Sequence, residues 1–206
     1  MPGSSKHPFF PVSLNLEGRT CVVIGAADDR EAIEKARALR ESGANVRWIT
    51  QPATLRDEDV TDAYFVISTP QDEGLSARLR DLADRNAFLL CCIDQPKFGF
   101  VAMAAIAKAG PVRIAISTTG LAPRVGKNLR DALQRVMDAK FARFIACLGT
   151  QKTRVKARYP APESSGIRRK AMIEAASGFD ADIEFRYPQW FEDEIDALLP
   201  HAVEKR

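Results

Sequence analysis

The chain has 206 residues, room for one large domain or two small ones, and its 46% apolar and 28% charged content is that of an ordinary globular protein. Thirty basic against 27 acidic side chains leave a net charge of +3, too little to point to nucleic acid. No run approaches the roughly 18 apolar residues of a membrane span, so neither nucleic acid nor a membrane is an expected partner.

Residues 9–14 are apolar and extended and are expected to lie along a sheet before Glu17-Gly18 turns into the first strand. Residues 21–24 form a short β-rich run that fits a strand buried on both faces. Gly25 follows at once and allows a sharp turn. Asp28 or Asp29 can cap a helix over 30–42, Gly43 ends it, and residues 45–50 read as the next strand. Strand, helix and strand in about 30 residues make a βαβ unit, the building block of parallel sheets. Residues 53–62 are polar, with room for one weak helical turn. Residues 63–68 read as a third strand, and Leu75, Leu79 and Leu82 mark a helix over 75–85. Residues 87–93 (AFLLCCI) are apolar throughout, which predicts a central fourth strand.

The pattern changes after Asp94. Residues 100–106 and 112–117 are two apolar runs joined too closely for a helical crossover, so they are expected to pair antiparallel. Beyond Pro123 the chain is almost all helix. A stripe from Val125 through Leu129, Leu133 and Val136 to Phe141, Phe144 and Leu148 suits a core or a subunit interface. Tyr159-Pro160 breaks the helix, Ser164 or Ser165 starts another, and a last helix is expected over 188–199. The composition shift near residue 118 is the best domain boundary.

Four cysteines lack zinc-finger spacing, and the two histidines, His7 and His201, lie near the ends. No metal site or Ser-His triad is therefore expected. With no apolar signal core in the first eight residues, the expectation is a cytoplasmic protein with reduced thiols.

In open α/β sheets ligands bind beyond the carboxyl ends of the strands, where the Gly25 loop, the Ser68-Thr69 loop and Ile93-Asp94-Gln95-Pro96-Lys97 should converge. The run Gly25-Ala26-Ala27-Asp28-Asp29 keeps only the first glycine of a dinucleotide fingerprint, and no carboxylate ends the second strand. Nucleotide binding and a purely structural turn both remain open from these residues. Asp94 emerges from the apolar run at the sheet edge, where partial burial would suit it to proton transfer. An Asx turn, or a pair with Lys97, is the competing reading. Ser117 and Thr118 end the last strand. Arg124, Lys127 and Arg130 share one helix face that suits an anionic substrate or simply solvent.

Several ordered blocks resemble the siroheme-pathway family, the precorrin-2 dehydrogenases and the dehydrogenase–ferrochelatase module of siroheme synthase. They are Phe10-Pro11-Val12-Ser13-Leu14-Asn15-Leu16-Glu17-Gly18-Arg19, Glu34-Lys35-Ala36-Arg37, Ser42-Gly43-Ala44, Ile93-Asp94-Gln95-Pro96-Lys97, residues 112–120 with Pro123, and Arg154-Val155-Lys156. The resemblance implies an α/β fold with a Rossmann-like NAD-binding domain (residues 1–117), a dimerisation segment (118–150) and a small helical domain (151–206). It implies oxidation of precorrin-2 to sirohydrochlorin with NAD, with ferrous or cobaltous ion as substrate where a member also chelates metal, in a cytoplasmic homodimer. It aligns the key carboxylate with Asp94 and the cofactor contacts with Gly25, Ala26, Ala27, Asp28, Asp29, Gln51, Pro52 and Thr69. The polycarboxylate tetrapyrrole falls to Ser117, Thr118, Arg124 and Lys127. Two departures stand out: the Gly25 loop is two residues longer than the family pattern, and Ala122 replaces a serine that some members phosphorylate. A chelatase or carrier without NAD binding, and a non-catalytic Rossmann sensor, are the alternative functions.

Overall fold

The computed structural model describes residues 10–189. Its sheet is built from β1 (Thr20–Ile24), β2 (Asn45–Ile49), β3 (Phe65–Ser68) and β4 (Leu89–Cys92), all parallel in the order β2-β1-β3-β4. Cys21 to Ile24 are fully buried because helices cover both faces of β1. Cys21 and Val23 meet Ala32, Ala36 and Leu39 of α1 (Arg30–Glu41). Val22 and Ile24 meet Leu79, Leu82 and Ala83 of α2 (Glu73–Asn86). Such burial is worth roughly 1.5–3 kcal/mol for each Val, Leu or Ile, which is why these strands read as unbroken apolar runs rather than alternating ones.

Asp29 caps α1, and Gly43, at φ +81°, ends it. Asp72 caps α2 by accepting from the Leu75 amide at 3.0 Å. That helix ends on Ala87 in the left-handed region (φ +57°), a position that favours glycine. Two short 3-10 turns, Pro52–Thr54 and Asp57–Asp59, replace the single turn expected between β2 and β3.

Three expectations are corrected. β4 is an edge strand rather than a central one. Two-sided burial fixes its apolar composition, whereas sheet position depends on hydrogen bonds that the composition does not reveal. The Phe100 and Val101 amides, 2.8 and 3.0 Å from the Leu90 carbonyl, partly cover that edge. Residues 10–14 do not join the sheet: Phe10 is 86% exposed, and only Leu14 and Leu16 pack on the core. The expected strand from residue 100 starts five residues later. β5 (Ala105–Ala109) pairs antiparallel with β6 (Val112–Ile116) across Gly110-Pro111, as a separate two-stranded sheet.

α3 (Pro123–Val136) packs on β5. Gln134 uses its side-chain amide as a strand would, accepting from the Lys108 amide and donating to its carbonyl, both at 3.0 Å. The apolar stripe after Val125 is interrupted at Met137-Asp138, and α4 (Ala139–Arg158) starts anew. The chain divides into two compact units after Ala139, so the hairpin and α3 stay with the sheet. In the second unit, Phe141 and Phe144 meet Phe179, with ring centroids 6.0 and 5.1 Å apart. A 3-10 turn (Pro162–Ser164) leads into α5 (Ser165–Ala175). The expected helix over 188–199 extends outside the described residues. No helix among the described residues is long and apolar enough to cross a membrane.

Relieving the strained helix end is expected to stabilise the fold. Ala87→Gly should raise unfolding free energy by about 1 kcal/mol in urea titrations, since a left-handed alanine is disfavoured by about that amount.

Candidate functional site

Three strand ends meet at the carboxyl edge of the sheet. At the first, the Gly25 amide donates to the Ile49 carbonyl (3.1 Å), and the Gly25 carbonyl accepts from Trp48 Nε1 (2.9 Å). The loop is thus sewn to β2 by an indole that the sequence did not single out. A Cβ on Gly25 would collide with Thr69 Oγ1, lie 2.8 Å from Ala32 Cβ and 3.2 Å from Asp29 Oδ2, so this position admits only glycine. Asp29 is the hub of the loop. Its Oδ1 accepts from the Glu31 amide (2.9 Å) and its Oδ2 from the Thr69 hydroxyl. The Thr69 hydroxyl and the amides of Glu31 and Ala32 outweigh partial desolvation and hold the Asp29 carboxyl below the usual aspartate range. Ala26, Ala27 and Asp28 are exposed, and their amides have no hydrogen-bond partner among the described residues. Gln51 and Pro52 follow β2 on the same edge, Gln51 exposed and Pro52 half-buried.

The second strand end to carry chemistry is the turn after β4. Asp94 adopts φ +58°, a left-handed conformation that aspartate tolerates better than most residues. The expected partial burial is not found: Asp94 is exposed. Nor does Lys97 pair with it, because Lys97 Nζ reaches Glu73 at 2.7 Å. Gln71, from the loop after β3, donates toward the Ile93 carbonyl (3.3 Å) and lies 3.5 Å from Asp94 Oδ2. The turn is anchored from below by the fully buried Ser76, whose hydroxyl donates to Gln95 Oε1 at 2.5 Å.

A cavity of about 850 Å³ opens here, and it brings Asp94 together with Ser117 and Thr118, far apart in the chain. The Ser117 hydroxyl accepts from the Thr119 amide (3.2 Å) and the Thr118 hydroxyl from the Ala122 amide (3.3 Å), which shapes the turn into α3. Pro123 and Gly126 are the α3 residues that line the cavity, while Arg124 and Lys127 are exposed and are not part of the lining. The α1 residues Glu31 and Lys35, an ion pair at 2.7 Å, also line it, as do Cys91 and Cys92. Neither pair had a signal of its own in the sequence, since an i,i+4 ion pair and a buried apolar strand are common. Burial pushes the Cys91 thiol up to about 11, so it stays neutral near pH 7. In the second unit, a smaller cavity of about 220 Å³ is lined by Lys152, Lys156, Arg168 and Arg169 over Val155 and Met172. Among the described residues no group of three or more His, Cys, Asp or Glu could hold a metal ion.

Residues 12–105 match a sequence family described as "Putative NAD(P)-binding". The siroheme synthase of Thioalkalivibrio sulfidiphilus is 28% identical over 174 residues, 75% of this chain and 35% of that protein. The siroheme synthase of Nitrosococcus oceani is 25% identical over 183 residues, 80% of this chain and 38% of that protein. The chain is thus similar to siroheme synthases over most of its own length. It spans about a third of the length of the curated relatives it matches, 35% and 38% in these two. The structure of SirC, a precorrin-2 dehydrogenase, superposes with a TM-score of 0.65 at 17% identity, over 82% of this chain and 90% of SirC, a likeness of fold.

The β1–α1 loop fits a dinucleotide cofactor in its place at the sheet edge, its small side chains and the open amides of Ala26, Ala27 and Asp28. It departs from a phosphate cradle in having Asp29 at the N-terminus of α1. Because Gly25 has no room for a Cβ, Gly25→Ala is expected to destabilise the protein by about 1–3 kcal/mol, the usual cost of overpacking. A melting temperature equal to wild type would contradict that.

Proposed function

We propose that this chain is an NAD-dependent precorrin-2 dehydrogenase of siroheme biosynthesis, acting in the cytoplasm as a homodimer. The observation that carries this reading is the single cavity that unites Asp94 with the Ser117-Thr118 turn, beside the sheet edge that bears the Gly25 loop. Gly25, Ala26, Ala27, Asp28, Asp29, Gln51, Pro52 and Thr69 would surround NAD at that edge. Residues 118–150 form the dimerisation segment between a Rossmann-like domain and a helical domain. Val125 and Val136, 52% and 69% exposed in the described chain, are apolar surface that a second copy would cover.

Oxidation of precorrin-2 removes one hydride and one proton. NAD, when bound, supplies the hydride acceptor. The proton needs a base, and Asp94 is the carboxylate that emerges at the cavity from the end of β4. Its left-handed turn, held by Ser76 through Gln95, keeps it at the rim instead of folding it back against the strand. The hydroxyls of Ser117 and Thr118 give the macrocycle polar contacts, and Lys35 and Lys97 meet its carboxylates by exchanging their partners Glu31 and Glu73. Arg124 and Lys127 serve as outer steering charges, in keeping with their exposure.

One observation favours a second reading, a tetrapyrrole chelatase or carrier without NAD binding. It is the Asp29 carboxylate at the helix N-terminus. In that case ferrous or cobaltous ion would be the substrate, with Asp94 taking the pyrrole protons.

Conversion of precorrin-2 followed by absorbance, with and without NAD and then with ferrous ion, separates the two. Asp94→Asn should lower kcat by about 10²–10⁴, the range for loss of a general base, with the melting temperature unchanged because asparagine also tolerates the left-handed turn. Full turnover in that variant would remove Asp94 from the mechanism. Light scattering should give twice the chain mass, and a monomer at working concentration would refute the dimer.

A further inference from the structure

We propose that Asp29 is a resident anion of the β1–α1 loop, occupying the N-terminus of α1 with its own carboxylate and thereby limiting how tightly dinucleotide phosphates bind. The inference rests on the reading that NAD binds at this edge.

The N-terminus of a helix draws anions because its first amides lack intrahelical partners and its dipole is positive there. In this chain one of them, the Glu31 amide, already has an acceptor. Asp29 Oδ1 takes the Glu31 amide at 2.9 Å, and Oδ2 takes the Thr69 hydroxyl. Both oxygens are thus engaged by the protein. The same hydrogen bonds keep the group ionised at neutral pH. No Lys or Arg among the described residues lies in ion-pair range of Asp29, because the neighbouring cations are taken: Arg30 by Glu34 at 3.7 Å and Lys35 by Glu31 at 2.7 Å. The charge at this helix end is therefore fixed and unneutralised.

Its place matters as much as its charge. Asp29 Oδ2 lies 3.2 Å from where a Cβ on Gly25 would stand, so the carboxylate covers the approach to the one glycine that the loop retains. A pyrophosphate arriving here meets a like charge at the helix end. The donors left to it are the amides of Ala26, Ala27, Asp28 and Arg30. In return the carboxylate latches the loop after β1 to the loop after β3 through Thr69. Asp29 is therefore a residue that exchanges cofactor affinity for loop order.

The test is calorimetric titration of the full chain with NAD⁺, at low ionic strength and again in concentrated salt. Asp29→Asn keeps the cap through Oδ1 and removes the charge, with Nδ2 donating to the Thr69 oxygen while the Thr69 hydroxyl turns to the Ile24 carbonyl 3.3 Å away. It should bind NAD⁺ roughly three- to tenfold more tightly at low salt, the scale of a charge at a helix terminus. The gain should shrink in high salt, because an exposed charge is screened. Asp29→Ser, also a good cap, provides a second neutral variant should the first fold poorly. Asp81→Asn is the control, since it removes an exposed charge on α2 that lies outside the cofactor edge. Tighter binding by the Asp29 variants alone supports the inference. Equal or weaker affinity in both, with unchanged melting temperature, overturns it. An equal gain in Asp81→Asn also overturns it, because net charge would then explain the effect. No NAD⁺ binding by wild type or any variant at millimolar cofactor rejects the dinucleotide reading itself.

Discussion

Everything in the first unit depends on β1 and β3 having no exposed face. Cys21 to Ile24 and Val66 are completely buried, and Phe65 and Ile67 nearly so. A strand in that position needs cover on both sides, and α1 and α2 supply it from opposite sides. Once both faces are closed, only the strand ends remain open to a ligand. The parallel order places the ends of β1, β3 and β4 along one edge, which is why the Gly25 loop, the Thr69 loop and the Asp94 turn become neighbours.

The loops along that edge are held together by a few specific bonds. Trp48 pulls the Gly25 carbonyl toward β2, and Asp29 ties the first loop to Thr69. Gln71 reaches across to the Ile93 carbonyl, and Ser76 anchors Gln95 from inside the core. Asp94 sits at the end of this chain of contacts in a conformation that costs backbone energy. An exposed carboxylate on a strained, well-anchored turn is positioned by its neighbours rather than tuned by burial. That differs from the buried acid the strand pattern suggested.

The likeness to siroheme synthases and the fold of SirC agree on the architecture. The β1–α1 loop differs from a simple phosphate cradle. There a negative charge belonging to the protein stands where a phosphate cradle commonly leaves its amides free. The proposed substrate side has no such conflict, since Asp94, Ser117 and Thr118 line one cavity.

The amino-acid sequence by itself determined the order and type of the main elements: two-sided burial writes strands as unbroken apolar runs, and caps such as Asp29, Gly43 and Asp72 write helix ends locally. It also marked Asp94, Ser117 and Thr118, because each ends an apolar run. It did not determine the edge position of β4, the separation of the β5–β6 hairpin or the exposure of Asp94. Those depend on which backbone groups pair across the chain, and composition carries no record of pairing. The cavity-lining role of Glu31 and Lys35, and the engagement of both Asp29 oxygens, were decided only by the tertiary structure. Each needs a partner or a surface brought near from elsewhere in the fold: Thr69, 40 residues on, completes the Asp29 contacts.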